Sequence, residues 1–319
     1  MDLKTLKLEL LEPAYRQAGA SPTARTVHAL NHLMVVLAIC SSGYGMAQHE
    51  LLYADWYDSA QVAKKAGAYD RAVGFYRQAF ARRTPLAEHA LDAARVCWLA
   101  HDTARTQGYM DQALVLGWSG DEVPKDSVLY AYWAHASSIG SKRLWERFKA
   151  MLIPELKAEL EAMFRADQDI RMQLDWDKAD SPDSLVRRSV WIPIEAQDAR
   201  HYARVVEIIK EHGVPSVHQV GLTGNKMIFF AFIHAGGHDL ITPWVLKLRG
   251  SVERGESPAQ WYAYVIDRVM VDTTKATMFG TTGYMDRSDG SMNMHAILPE
   301  TVDLVREEAG LPRMGRNRW

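Results

Sequence analysis

A chain of 319 residues, 48% hydrophobic and 24% charged, has the composition of a folded globular protein with room for two ordinary cores. Its formal net charge of −2 argues against a nucleic-acid surface, which needs concentrated Lys and Arg to meet phosphate. The 2 cysteines, Cys40 and Cys97, are too few for a disulfide framework and are not spaced C-x-x-C.

Residues 1–47 read as a leader. The apolar run "LMVVLAIC", Leu33 to Cys40, is too short to span a bilayer and suits the hydrophobic region of a signal peptide. Small residues at Gly45 and Ala47 place cleavage between Ala47 and Gln48. The mature chain is then periplasmic or extracellular, with no transmembrane span. The acid-containing stretch from Met1 to His32 is unlike a compact basic n-region, and translation starting near Val27 would account for it. Ile39 is bulky where a lipoprotein box wants a small residue, which disfavours lipidation of Cys40. The alternative is a cytoplasmic protein that keeps its leader and buries Leu33 to Cys40 as a helical segment.

Residues 48–152 carry small and aromatic residues at helical intervals: Trp56, Ala60, Ala63, Gly67, Tyr69, Ala72, Tyr76, Ala79 and Pro85. The spacing resembles a tetratricopeptide repeat, in which small residues let two antiparallel helices approach and aromatics fill the gaps. A degenerate second copy follows, with Ala93, Ala94, Cys97 and Ala113 in the small positions. The segment from Asp126 to Leu152 is the expected cap, anchored by Trp133, Leu144 and Phe148. A generic helical bundle is the alternative. Either way this region offers a surface for a protein or peptide partner, without catalysis.

Residues 153–319 form the second expected domain. A long polar helix starts near Glu155 and ends in the turn chemistry of Asp180 to Asp183. Several shorter helices follow: "YARVVEIIKEHG" stopping at Gly213, "KMIFFAFIHA" apolar all round and therefore buried, and two opened by Thr242–Pro243 and Ser257–Pro258. Asp289–Gly290 signals a small hairpin before a terminal helix. The expected fold is mainly α: tetratricopeptide-like helical hairpins followed by a compact α-helical domain with a small hairpin.

The C-terminal motifs "DQDIR" at Asp167, "EHGVP" at Glu211, Val220–Gly221, "HAGGHD" at His234, "YAYVIDRV" at Tyr262, "FGT" at Phe279 and "AGLP" at Ala309 occur in order over roughly 155–312. Together they resemble a bacterial family catalogued as domain of unknown function 6624. The resemblance implies an architecture with a signal peptide and a repeat-like helical region ahead of the domain, and no assigned reaction. This chain departs from the family pattern at Ile233 and at Met278–Phe279, where polar residues are expected.

The candidate site residues come from these motifs. His234 and His238, four apart, could share a helix face as metal ligands, with His212, Asp239 or Asp267 as a third. No Glu follows His234 as in H-E-x-x-H, so a zincin base is missing. Gly236 and Gly237 also suggest a helix-to-helix junction that separates the two imidazoles. Without metal, His234 and His212 could act as acid or base, Asp267 could orient a histidine and Arg268 could grip an anion. A hydrolase-like cleft would need these groups together with His238; a binding or scaffold protein would not. The sequence specifies no cofactor. "GLTGNK" from Gly221 lacks the phosphate-loop spacing, and no G-x-S-x-G is present.

Overall fold

Alanine sets the geometry of the first half. In this computed structural model, which describes residues 53–179, 181–274, 277–282 and a few positions beyond, helices α1 (Tyr53–Lys65) and α2 (Tyr69–Arg82) form one hairpin. Helices α3 (Ala87–Leu99) and α4 (Thr103–Val115) form a second. Ala60, Ala72, Ala79, Ala90, Ala93, Ala94 and Ala113 are all fully buried along the seams, and Tyr76 fills the space between them. Gly67 takes φ +70° in the first turn, a conformation that costs glycine little. Asp102 caps α4 by accepting from the Arg105 amide at 3.0 Å. Cys97 lies inside this core, where burial pushes its thiol up to about 12, so it stays protonated and unreactive at neutral pH.

A polar network pins the hairpins to each other. Asp92 on α3 is 7% exposed and accepts from Lys64 and Gln61 of α1 and Tyr76 of α2. Burial raises its pKa, but Gln61, Lys64 and Tyr76 outweigh burial and hold the carboxyl below the ordinary range. Helices α5 (Leu129–Ala134) and α6 (Ile139–Lys149) close the far end. Trp145, Leu129 and Tyr132 enter the core there, with Trp133, Leu144 and Phe148 packed against it, as the sequence indicates for a cap.

The second half is layered around α10. Helix α7 (Pro154–Met172) leads through the short α8 (Trp176–Ala179) to α9 (Ser184–His212), and then α10 (Val217–His234) runs through the interior. Val220, Met227, Ile228, Phe229, Ala231 and Phe232 of α10 are buried, as an all-round apolar pattern requires. Next come α11 (His238–Ile241), α12 (Val245–Glu253) and α13 (Ala259–Thr274). Strands β1 (Tyr284–Met285) and β2 (Met292–Asn293) pair antiparallel, with Tyr284 opposite Asn293. The fold is mainly α. The leader, Asp289–Gly290 and most of the terminal segment lie outside the described residues.

Four local expectations need correction. The turn at Asp180 to Asp183 does not end the long polar helix, which stops at Met172; Asp183 instead caps α9 by accepting from the Leu185 and Val186 amides. The segment from Tyr202 to Gly213 is accordingly the last part of a 29-residue helix that runs through Pro193. Pro193 lies on the exposed side, where the carbonyl left without a helical donor can be hydrated. Thr242 opens no helix by capping: its hydroxyl donates back to the His238 carbonyl at 2.8 Å. Ser257 serves the interior, accepting from Asn225 Nδ2 at 2.8 Å.

The hairpins and the second half meet closely within one compact unit, 51–319. Gly117, at φ +96°, lies so near Val217 that a Cβ there would come within 2.7 Å of the valine Cβ. Phe148 stacks on His218 at 3.9 Å, and the Ile153 amide donates to the Gln219 carbonyl at 2.9 Å. Among the described residues no helix is long and apolar enough to cross a membrane.

Candidate functional site

Three helices of the second half bring ionisable groups to one place. Asp167 and Arg171 lie one turn apart on α7, so their side chains share a face; Asp198 comes from the middle of α9 and His234 from the last turn of α10. Arg171 donates through Nη1 to Asp167 Oδ1 at 2.7 Å and through Nη2 to both Asp198 oxygens at 2.8 and 2.9 Å. His234 Nδ1 lies 3.0 Å from Asp167 Oδ1, and Gln168 Nε2 donates to Oδ2 at 2.7 Å. Asp167 is 1% exposed, whereas the His234 side chain is 22% exposed.

This arrangement fixes the imidazole. An ionised carboxylate only accepts, so Nδ1 carries the proton and donates to Asp167, leaving Nε2 as the basic nitrogen. Burial pushes the Asp167 carboxyl up, but His234, Arg171 and Gln168 together pull it down and hold it below the ordinary carboxylate range. Edge-on contact with Phe230, whose ring centre lies 5.5 Å away, sets the other side of the His234 ring. One turn further back, Lys226 sits 4.8–4.9 Å from the ring centres of Phe164, Phe230 and Trp261. His201, one turn beyond Asp198 on α9, has a buried Nδ1 without a hydrogen bond, and burial lowers its pKa.

Asp167, Asp198 and His234 offer ligand atoms that all lie within 4.8 Å of one another, the requirement for a metal centre. Arg171 already supplies a cation to both carboxylates, so one of the two negative charges that would attract a divalent ion is balanced by the protein itself.

The residues singled out from sequence do not assemble into one cleft. His212 ends α9, fourteen residues beyond Asp198 and thus about 21 Å further along the axis, exposed and beside Glu211. His238 begins α11 after Gly236, which takes φ +79°, and lies 3.3 Å from Asp239. "HAGGHD" is therefore a junction, and His238 is outside the Asp167–Asp198–His234 group. Asp267 is fully buried and, among the described residues, pairs with no histidine: it accepts from the amides of Met278, Phe279 and Thr281 at 2.7, 2.9 and 2.7 Å and from the Thr281 hydroxyl at 2.7 Å. It clamps the "FGT" segment to α13, which Arg306 grips from the other side through the Phe279 and Gly280 carbonyls. Arg268 lies 3.9 Å from Asp272 on its own helix.

Sequence reasoning named His234 but missed its carboxylate. Asp167 and Arg171 sat in view as a charge pair at i, i+4 within "DQDIR", a spacing that signals a shared helix face. Nothing local marks Asp198 as their third member.

A helical domain with this buried Asp–Arg–Asp–His centre is the class that the geometry defines. The model of a family of unknown function, DUF6624, matches residues 154–317, and the chain belongs to that family. The match covers Asp167, Arg171, Asp198, His234 and Asp267. Neither the curated proteins nor the solved structures give a match.

Proposed function

We propose that this is an exported binding protein, in which tetratricopeptide-like hairpins and the family domain together hold a peptide or protein segment. The observation that carries this reading is a cavity of about 510 Å³ where the two halves meet. Arg83, Glu88 and Leu116 line it from the hairpins, and Leu222, Ser257 and Gln260 line it from the family domain. Its size is that of an ordinary ligand site, and it mixes an apolar lining with a cation, an anion and amide and hydroxyl groups able to fix a peptide backbone. Photo-crosslinking from Leu222 in cells that express the gene tests it.

Export rests on the Leu33 to Cys40 run and on the small residues at Gly45 and Ala47, all outside the described residues. Protein recovered outside the cytoplasm should begin at Gln48 on N-terminal sequencing. Recovery of an intact Met1 overturns export.

A second reading is favoured by the Asp167–His234 pair. A buried carboxylate fixing the tautomer of a partly exposed imidazole is the arrangement a general base requires, and it supports a hydrolase-like role for His234. The site would then consist of His234, Asp167, Arg171 and Asp198.

A further inference from the structure

The second half of helix α10 is buried at Asn225, Met227, Ile228, Phe229, Ala231 and Phe232, whereas Lys226, Phe230 and His234 are only half-buried. These three follow one another at i, i+4 and i+8, so they form one stripe along the helix. Two further half-buried rings flank it: Phe164 of α7, 5.7 Å from Phe230, and Trp261 of α13, 5.9 Å from it. Phe164 stands three residues before Asp167, on the same side of α7 as the carboxylate that orients His234. Phe230 meets both ends of the stripe, its ring centre lying 4.8 Å from Lys226 Nζ and 5.5 Å from the His234 ring centre, which puts ammonium and imidazole within about 10 Å of each other.

Lys226 is the unusual member. Its Nζ has three aromatic neighbours at 4.8–4.9 Å, but among the described residues it makes no ion pair and no hydrogen bond. Rings attract the charge of an ammonium but give its three N–H groups no lone pair to meet. Glu88 of α3 acts on it electrostatically without pairing with it, and burial lowers its pKa. An oxyanion seated on Nζ supplies the missing acceptor and opposes the effect of burial. We propose that Lys226, Phe164, Phe230 and Trp261 anchor an anionic ligand with a flat apolar body, its carboxylate or phosphate on Nζ, its body on the rings and its far end at His234 Nε2. The open ring surface selects the flat body and the ammonium selects the charge. A cationic ligand, the usual guest of an aromatic cage, would meet the Lys226 charge already there. Binding stands by itself; treating the ligand as a substrate rests on the acid–base reading of His234.

An NMR titration of the lysine-labelled full chain tests the anchor, following the Lys226 Cε resonance, which is identified by its loss in Lys226→Gln. The probes are benzoate, phenyl phosphate and the neutral benzamide, each up to about 10 mM, millimolar affinity being the ordinary range for such small ligands. At least one anion should bind the wild type about tenfold or more tightly than benzamide, the worth of one charge-assisted hydrogen bond. Phenyl phosphate binding more tightly than benzoate assigns the oxyanion as phosphate; the reverse order assigns it as carboxylate. By calorimetric titration, Lys226→Gln should lose the preference for the anion and Lys226→Arg should keep part of it, both with an unchanged circular dichroism spectrum. A wild type that binds benzamide as tightly as both anions overturns the proposal, and that comparison needs no variant to fold. A Lys226 resonance that no probe moves also overturns it, as does a Lys226→Gln protein that keeps the preference. Hydrolysis of para-acetoxybenzoate to para-hydroxybenzoate and acetate separates the two claims: anion preference without hydrolysis upholds the anchor and counts against the acid–base reading alone.

Discussion

Replacing Asp267 by Ala is expected to destabilise the protein by about 3–5 kcal/mol, because three backbone amides and one hydroxyl lose their common acceptor inside the fold. Burial pushes the Asp267 carboxyl up against the pull of those four donors, yet the donors have no other acceptor that an alanine could supply. Asp267→Asn keeps one carbonyl oxygen and should lose less, about 1–3 kcal/mol. Urea denaturation measures both. Limited proteolysis adds a local readout: the 277–282 segment should become cleavable in Asp267→Ala before the rest of the domain unfolds. If the alanine variant is as stable as the wild type, Asp267 does not hold that segment.

The second large effect is expected at Asp167. Removing a 1% exposed carboxylate that holds Arg171, Gln168 and His234 should cost about 2–4 kcal/mol, moderated because Arg171 keeps Asp198. The pH dependence has a definite sign. The folded pKa of Asp167 is depressed, so its contribution is fully present above the ordinary carboxylate pKa and is lost as pH falls through the folded value. Between about pH 5 and the acid limb the wild type should lose stability more steeply than Asp167→Asn, which has no proton to take up at that position. Nitrogen chemical shifts of His234 give a direct view of the imidazole: in the wild type the proton should sit on Nδ1, and in Asp167→Asn that preference should weaken. An unchanged tautomer would detach Asp167 from His234 and remove the basis of the acid–base reading.

The elements that could be read from sequence are those whose reasons are local. The hairpins follow from alanines at seam positions such as Ala60, Ala72 and Ala93, and α10 from a run with no polar face. The cap follows from Trp133, Leu144 and Phe148. The length of α9 was hidden because Pro193 and the Asp180–Asp183 turn are both breaker signals, yet one is tolerated on an exposed face and the other serves as a cap. The site was half legible for a different reason. His234 stands out within its motif, but Asp198 joins it only through the packing of α9 against α7 and α10, and no periodicity encodes that approach. Asp267 shows the converse: a charged residue in an apolar helix reads as functional, while its four donors make it a clamp on the following loop.

The Asp–Arg–Asp centre also limits what chemistry the domain can support. With Arg171 bridging both carboxylates, His234 keeps a partly exposed ring and a second nitrogen, Nε2, that the Asp167 contact does not use. Acid–base work would pass through Nε2 of that ring, and the rest of the centre would position it.

The binding reading stands or falls on where a partner touches the chain. A photo-crosslinking residue at Leu222, in the wall of the cavity, is compared in cells with the same residue at Val62, which is 68% exposed on the outer side of α1. A discrete covalent adduct is expected from Leu222 and none from Val62. An adduct from Val62 alone, or none from either position, would contradict it.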